Sequence, residues 1–215
     1  MTTSDVAKRT TWNTPPNLGW LECNLSDEEI NHLWKCVKGS SQCVKKELAG
    51  NISHSYDLND LNDYFFNNTI TPLIEIYKTL FLDLVSHEMP VLDKDSYEPK
   101  LQQFWVNYQK QHDFHPVHDH NGVYSFVIWL KIPVEFEDQN KNNITNTPAK
   151  SAFAFEYNNI LGNLNSQIFK LGKEYEGKLL FFPAKLAHQV YPFFDCVEDR
   201  ISISGNILMK RKDVF

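Results

Sequence analysis

The pattern of apolar and polar residues changes its period near residue 100 of the 215-residue chain. Before that point, two segments carry apolar residues at helical spacing. The first begins at a capping box formed by Ser26 and Glu29 and ends at Gly39. In the second, Thr71 is the predicted N-cap and Pro72 the first helical residue. The predicted buried positions of the two helices are Ile30, Leu33, Trp34 and Val37, and Leu73, Tyr77, Leu80, Phe81, Leu84 and Val85.

After residue 99 the period becomes that of β-strands. Short apolar or alternating runs are separated by turns rich in Gly, Pro or Asn. Such a series of short strands predicts a jelly-roll, or double-stranded β-helix, of the cupin-like kind. We therefore expect a mainly β fold with flanking α-helices, in which the N-terminal helices pack on one outer face of the larger sheet. The predicted strands are 102–109, 123–132, 151–157, 166–171, 178–182, 188–192 and 200–209.

We expect a single integrated domain, because a chain of this size with 42% hydrophobic and 13% aromatic residues can bury a large core. Residues 1–100 are predicted to supply an N-terminal arm and helical support, and residues 101–215 the β-helix core. Residues 1–20, which are polar and contain a Pro-Pro pair, are predicted to be an extended arm. The polar stretch 135–150 is either a mobile lid over the barrel mouth or a plain surface insertion.

Histidines supply the candidate chemistry. Four of the eight histidines lie within nine residues, and His188 begins a later strand after a Phe-Phe-Pro turn. Residues i and i+2 of a strand point to the same face, roughly 6.6 Å apart, so His118 and His120 can bind one ion with His188 as third ligand. Neutral imidazoles suit Fe, Zn, Cu or Ni, and three ligands leave coordination positions open. His112 and His115 are expected to shape the loop or the rim of the site. Strand alternation is expected to point the carboxylate of Asp119 away from the face that its two neighbouring histidines share.

Arg200 opens the strand Arg-Ile-Ser-Ile-Ser, twelve residues after His188. An arginine that faces into a barrel needs an anionic partner, because an unpaired buried charge costs several kcal/mol. A carboxylate ligand would satisfy its planar guanidinium in a bidentate way. The alternative is that Arg200 pairs with Glu198 or Asp199 at a surface turn.

Six segments, taken in order and spacing, resemble the 2-oxoglutarate/Fe(II)-dependent oxygenase superfamily. The resemblance extends from about residue 104 to residue 209. Within the superfamily, the chain most resembles a branch that is common among marine phage and bacterial proteins. That branch has Asn-Tyr, then His-x-His, then a strand of the Ser-Phe-Val-Ile-Trp-Leu type. The matching segments are Trp105-Val-Asn107-Tyr108, His118-Asp-His120, Ser125-Phe-Val-Ile-Trp-Leu130, Leu180-Phe-Phe-Pro183, His188-Gln-Val-Tyr-Pro192 and Arg200-Ile-Ser202-Ile-Ser-Gly-Asn206.

The resemblance implies a hydroxylase-type dioxygenase that uses Fe(II), O2 and the cosubstrate 2-oxoglutarate on a primary substrate that no motif identifies. It implies that the metal ligands are His118, His120 and His188. The superfamily usually has Asp or Glu where this chain has His120. A neutral ligand there leaves the Fe(II) site with one more positive charge, which should change its metal affinity and redox behaviour.

The same resemblance implies the residues that bind the cosubstrate. Arg200 would pair with the far carboxylate of 2-oxoglutarate, and Ser202, two residues along the same strand face, would donate its hydroxyl to the same group. Asn107 and Tyr108, with Trp105, are candidates to line the pocket beside them.

Composition and charge narrow the partners and the location. The net charge of −6 provides no basic surface for nucleic acid. The sequence has no apolar run of about eighteen residues, so we expect no membrane span. The four cysteines, Cys23, Cys36, Cys43 and Cys196, show no C-x-x-C spacing, and the N-terminus has no secretion signal. We therefore expect reduced thiols in a cytoplasmic protein, in the host cytoplasm if a phage encodes it, although Cys36 and Cys43 are close enough in sequence to meet.

Two other function classes are compatible with the sequence. One is a cupin-like protein that uses Zn, Mn or Ni for non-oxidative chemistry, which an all-histidine metal site favours, and metal analysis distinguishes it from an oxygenase. The other is a non-catalytic jelly-roll, which predicts that the His188 side chain points away from His118. The oligomeric state is not encoded in any feature of the sequence.

Overall fold

The computed structural model describes residues 3–11, 17–40, 52–81, 83–84, 96–142 and 148–212. Their helices are α1 (Thr3–Ala7), α2 (Asp27–Lys38), α3 (Thr71–Leu80) and α4 (Phe136–Asn140). Their strands are β1 (Leu21–Asn24), β2 (His54–Asp57), β3 (Tyr97–Gln109), β4 (His115–His118), β5 (Tyr124–Lys131), β6 (Ala152–Asn158), β7 (Leu164–Lys170), β8 (Lys178–Pro183), β9 (Ala187–Val190) and β10 (Arg200–Arg211).

These strands form two antiparallel sheets. The larger sheet has the order β1-β8-β5-β10-β3-β2, and the smaller sheet has the order β4-β9-β6-β7. The two sheets pack on each other as a jelly-roll, and α2 and α3 cover the other face of the larger sheet. The predicted fold class, mainly β with flanking helices on one face, is confirmed.

Each face of the larger sheet packs against a different layer. On the helix side, Leu33 of α2 and Tyr77 of α3 belong to the same core as Phe126 and Ile203 of the sheet. On the inner side, Trp129 and Phe182 of the larger sheet join side chains of the smaller sheet in a second core rich in aromatic residues. The aromatic side chains of the smaller sheet are Phe153, Phe155 and Phe169. Burial of these large apolar side chains is the main source of stability in each layer.

The capping box of α2 is confirmed. The Ser26 hydroxyl accepts a hydrogen bond from the Glu29 amide at 3.3 Å, and the Glu29 carboxylate accepts one from the Ser26 amide at 2.7 Å. Leu33 and Val37 are buried, whereas Ile30 and Trp34 are partly buried against the same core. The helix ends at Gly39 as predicted.

The predicted start of α3 is wrong in its details. The backbone is already helical before Thr71, because a π-helical turn spans Phe66–Ile70, so Thr71 is not an N-cap. The Asp60 carboxylate instead accepts hydrogen bonds from the amides of Phe65 and Phe66, at 3.0 and 2.8 Å. It thereby satisfies amides near the beginning of the helical segment.

The predicted buried stripe of α3 is confirmed in part. Leu73, Tyr77 and Leu84 are buried and Phe81 is partly buried. Leu80 is 63% exposed, so its predicted burial is wrong, and the helix ends at this residue. The predicted buried position at residue 85 lies outside the described residues.

The predicted strands are all present, with ends that coincide or are shifted by at most five residues. Three further strands, β1, β2 and β4, were not predicted. Each has only four residues and lies at the edge of its sheet, and a segment this short carries too few positions for a clear strand period. Because β1 and β2 come from the first hundred residues, that part of the chain contributes strands to the larger sheet as well as helices.

The N-terminal arm is not wholly extended, since α1 lies within it. Its Pro15-Pro16 pair lies outside the described residues. The polar stretch 135–150 begins with α4, whose Phe136 side chain is buried. Asn140, the last residue of α4, exchanges hydrogen bonds with the backbone of Lys150 at the end of the stretch, at 2.9 and 3.2 Å.

Cys23, Cys36 and Cys196 are free thiols, and Cys43 lies outside the described part of the chain. Among the described helices, none combines the length and apolar character that crossing a membrane would require.

Candidate metal centre

Three histidine side chains converge between β4 and β9. His118 is the last residue of β4, and it lies directly opposite His188 of β9 in the strand register. His120 lies two residues beyond the end of β4. A donor nitrogen from each of the three rings lies within 4.8 Å of the other two. The predicted triad is therefore brought together, and the expectation of a diverging His188 is wrong.

The reason predicted for the convergence is only partly right. His118 belongs to a strand, but His120 does not, so an i, i+2 strand period does not orient the pair. The amide of His120 instead donates to the carbonyl of Ala184 at 2.9 Å, which fixes the backbone after β4. The position of His120 thus depends on a contact with the turn that precedes β9.

Hydrogen bonds orient two of the rings for metal binding. The Nδ1 atom of His118 lies 2.7 Å from the carbonyl oxygen of Pro116, and the Nδ1 atom of His188 lies 2.9 Å from that of Leu186. A carbonyl only accepts, so each Nδ1 carries the proton and each Nε2 keeps a free lone pair. Protein metal sites commonly hold their histidines in this way.

The three rings fit a divalent transition metal. His120 Nε2 and His188 Nε2 are 3.1 Å apart. Two ligands about 2.1 Å from one ion, at about a right angle, would be separated by about 3 Å. Burial is the main cause that lowers the pKa of His120 to about 4 and the pKa of His188 well below its usual value. The neighbouring His118 lowers both pKa values further. Both imidazoles are therefore neutral, which is the state that binds metal.

Three other side chains near the triad in sequence, those of Asp119, His115 and His112, differ in where they lie. Asp119 is exposed and pairs with Lys185 at 3.2 Å, so it points away from the triad as predicted. His115 is buried and lines the same cavity, with its ring centroid 5.3 Å from that of His118, and burial lowers its pKa to about 3. His112 packs instead against the ring of Phe194, at 5.1 Å, in the loop before β4.

Arg200 is only 1% exposed, at the start of β10. Its Nη1 donates to Gln109 Oε1 at 3.2 Å, its Nη2 donates to Ser151 Oγ at 2.5 Å, and its guanidinium lies over the ring of Phe193. Its Nε is buried and has no partner among the described residues. Burial lowers the pKa of Arg200 to about 9.

The surface-turn alternative for Arg200 is wrong. Glu198 pairs with Lys131 at 2.6 Å, whereas Arg200 is buried with neutral partners within the described residues. A buried guanidinium with a free N–H and no carboxylate partner is what an anionic ligand would satisfy.

The cavity beside the triad is lined by alternate residues of two paired strands. From β3 come Trp105, Asn107 and Gln109, and from β10 come Ser202 and Ser204. Within the described residues, the cavity lining includes no Asp or Glu side chain. The predicted lining residues Trp105, Asn107 and Ser202 therefore lie where an anion could reach them.

Tyr108 does not line this cavity. Successive residues of a strand point to opposite faces, so Tyr108 and Asn107 cannot share one face of β3. Tyr108 packs edge to face on Tyr56, with ring centroids 5.9 Å apart, against the helix-side core. Asn107 Oδ1 accepts a hydrogen bond from the buried Ser55 hydroxyl at 2.7 Å, which fixes the orientation of its amide.

Sequence reasoning missed three residues of the site. Gln109 and Ser204 could have been found by extending the two-residue period from Asn107 and Ser202. Ser151 has a positive φ of 59° and reaches Arg200 from the start of another strand pair. No sequence signal indicates this contact, because it depends on how the two sheets meet.

Comparisons with known proteins agree with this geometry. Residues 103–206 match a family model described as "Putative 2OG-Fe(II) oxygenase". The matched segment contains all three converging histidines and Arg200. No curated protein matches the sequence significantly. The family implies Fe(II) and 2-oxoglutarate, and the three imidazoles and the partly unpaired guanidinium are the groups that such cofactors need.

Solved structures share the fold. One is an oxidoreductase of the 2OG-Fe(II) oxygenase family from Burkholderia pseudomallei, with TM-score 0.54, 9% identity, and coverage of 88% of this chain and 85% of that one. Another is a prolyl hydroxylase from Trichoplax adhaerens in complex with a peptide of hypoxia inducible factor, with TM-score 0.50, 12% identity, and coverage of 89% and 83%. Residues 103–206, which contain the converging histidines, are therefore similar to the 2OG-Fe(II) oxygenases.

Proposed function

We propose that this enzyme is a hydroxylase-type dioxygenase in which His118, His120 and His188 bind Fe(II) and Arg200 binds 2-oxoglutarate. The observation that carries the proposal is the pairing of two features in one cavity region. Three imidazoles converge through their ring nitrogens, and a fully buried guanidinium lies among neutral partners, one of which, Gln109, lines the same cavity as the imidazoles. The first feature fits a metal, and the second fits the far carboxylate of a dicarboxylic acid.

Charge balance supports the same assignment. Three neutral ligands leave the full charge of a divalent ion in a site whose cavity lining includes no described carboxylate. A dianionic cosubstrate would offset the charge of the metal at one end and that of Arg200 at the other. The neutral His120, which replaces the carboxylate usual in this superfamily, makes the site more dependent on its anionic cosubstrate.

The protein residues have distinct roles in this proposal. Arg200 binds the far carboxylate, and Gln109 and Ser151 orient its guanidinium through the hydrogen bonds described above. Ser202 donates its hydroxyl to the same carboxylate. When bound, Fe(II) and 2-oxoglutarate supply the oxidising power that activates O2 and hydroxylates a substrate carbon.

The walls of the site exclude water from the metal. The rings of Phe153 and Phe182 lie 5.6 and 5.1 Å from that of His188. Apolar walls strengthen electrostatic interactions inside the cavity and limit side reactions. The proposal also includes 2-oxoglutarate and O2 as partners, membership of the phage and marine bacterial branch, and a cytoplasmic location, all of which derive from the sequence resemblance and composition.

The test is an anaerobic titration of the protein with Fe(II), with and without 2-oxoglutarate. We expect one Fe(II) per chain and a visible charge-transfer band that develops only when 2-oxoglutarate chelates the iron. The variant His188→Ala should lose the band, whereas His54→Ala, which changes an exposed histidine of β2, should keep it. Binding of Zn(II), Mn(II) or Ni(II) without any band from Fe(II) and 2-oxoglutarate would contradict the proposal and favour cupin-like chemistry.

A further inference from the structure

The indole N–H of Trp105 is a buried donor with no partner in the described part of the chain. Trp105 is 6% exposed, in the middle of β3. Its Nε1 atom is fully buried, and no described residue accepts a hydrogen bond from it. Buried donors are nearly always paired in native proteins, because an unpaired one loses its hydration without compensation. An exception in a cavity wall points to a ligand that supplies the acceptor.

Trp105 lies beside the metal centre. It lines the same cavity as the three converging histidines. Its ring meets that of His120 edge to face, with centroids 5.9 Å apart. The indole is a donor only, so its partner must be an acceptor.

Trp105 also stands at one end of a row of polar side chains. In the register of β3 and β10, Gln109 is opposite Arg200, Asn107 is opposite Ser202, and Trp105 is opposite Ser204. Residues two apart share a face of each strand. Four residues of β10 extend over about 13 Å, so the row leads from the buried guanidinium towards the histidine triad.

The row indicates which ligand atom Trp105 meets. An elongated anion bound by Arg200 at its far end would lie along these donors, with its other end at the metal. A carboxylate is the strongest acceptor for a neutral N–H, and the described lining of the cavity includes none of its own. The acceptor beside His120 would therefore come from the metal-bound end of the ligand.

We propose that Trp105 binds 2-oxoglutarate, donating its indole N–H to the carboxylate oxygen at the metal-bound, keto-acid end. This inference rests on the proposed function, because it takes the iron to lie at the triad and the far carboxylate at Arg200. It assigns to Trp105 a share in cosubstrate affinity that is separate from metal binding.

The experiment is a titration of the anaerobic Fe(II) protein with 2-oxoglutarate, in which the absorbance of the charge-transfer band is measured. Two changes are compared with the wild type: Trp105→Phe, and replacement of Trp105 by the benzothiophene isostere of tryptophan, which keeps the shape and removes only the N–H. We expect both to weaken 2-oxoglutarate binding by about tenfold to a hundredfold, with Fe(II) affinity unchanged. The matched control is Trp20→Phe, since the Trp20 indole faces Glu22 outside this cavity, and it should bind 2-oxoglutarate as the wild type does.

The outcomes separate the two proposals. If the wild type shows the band and the isostere leaves the affinity for 2-oxoglutarate unchanged, the role of Trp105 is overturned and the proposed function stands. Loss of affinity in Trp105→Phe alone would overturn it too, because packing rather than the N–H would then be responsible. Absence of the band in the wild type would overturn both proposals.

Discussion

Among the described residues, two clusters bring three potential metal ligands within 4.8 Å of one another, and they differ in how their polar atoms are used. One is the triad of His118, His120 and His188. The other comprises His32, Cys36 and Asp60, between α2 and the turn that leads to α3. Comparison of the two shows that proximity of ligand types is not sufficient to indicate a metal site.

In the second cluster the polar groups satisfy each other. His32 Nε2 lies 2.8 Å from Asp60 Oδ1 and 3.4 Å from Cys36 Sγ. The Asp60 carboxylate also accepts two backbone amides, from Phe65 and Phe66. A separation of 2.8 Å is that of a hydrogen bond, so this cluster connects α2 to the following turn without an ion.

In the triad, by contrast, the hydrogen bonds leave the ligand atoms free. The Nδ1 atoms of His118 and His188 use their protons on backbone carbonyls, and the Nε2 atoms of His120 and His188 lie 3.1 Å apart. Two ring nitrogens this close repel each other unless a proton or a cation lies between them. A metal centre is therefore indicated by converging lone pairs rather than by residue types.

The largest expected effect is that of His188→Ala. Loss of one of three ligands should lower Fe(II) affinity by about a hundredfold or more and abolish the charge-transfer band. The matched change in the other cluster, His32→Ala, should leave one Fe(II) bound per chain. Metal analysis after anaerobic desalting measures both. A normal iron content in His188→Ala would show that the triad is not the metal site.

The next effect is that of Arg200→Gln, which removes the buried guanidinium. Because a bidentate, charge-assisted contact is lost, 2-oxoglutarate should bind about a hundredfold more weakly while Fe(II) binding is retained. Titration of the charge-transfer band gives the affinity, and circular dichroism monitors the fold. An affinity equal to that of the wild type would exclude Arg200 from cosubstrate binding.

A smaller effect, on stability alone, is expected from Asp60→Asn. The amide side chain cannot accept all the hydrogen bonds that the carboxylate accepts from His32 and two backbone amides, so the free energy of unfolding should fall by about 1–3 kcal/mol. Urea denaturation measures the change. Fe(II) stoichiometry should stay at one, and its loss would mean that this cluster, too, participates in metal binding.

The smallest effect is that of Ser202→Ala, compared with Tyr108→Phe on the opposite strand face. Loss of a single hydroxyl donor should weaken 2-oxoglutarate binding by about fivefold to tenfold. Tyr108→Phe should leave that affinity unchanged, because its ring packs on Tyr56 at the helix-side core. Equal effects of the two changes would contradict the assignment of the cavity face.

Much of the fold was predictable because it depends on local pattern. The alternation of the inner strands and the capping box at Ser26 can both be recognised from residues that are close together in the sequence. Thr71 was misread because helical backbone extends in front of it, and the exposure of Leu80 reflects the end of its helix. Three of the edge strands were missed because four residues carry little periodic signal, and their pairing is decided by the sheet that they join.

The site was predictable in its composition but less so in its geometry. His120 reaches the triad through a backbone contact with Ala184 rather than through a strand period. The contact between Ser151 and Arg200 joins residues that are 49 positions apart, and only the meeting of the two sheets creates it. Tyr108 was assigned to the wrong face, although the two-residue period from Asn107 could have excluded it.

The most direct test of the metal assignment is an anaerobic crystal structure of the protein with Fe(II) and 2-oxoglutarate. The account predicts one iron about 2.1 Å from the Nε2 atoms of His118, His120 and His188, with the far carboxylate of 2-oxoglutarate against Arg200. Iron bound instead by His32, Cys36 and Asp60, or histidine rings turned away from a common point, would contradict it.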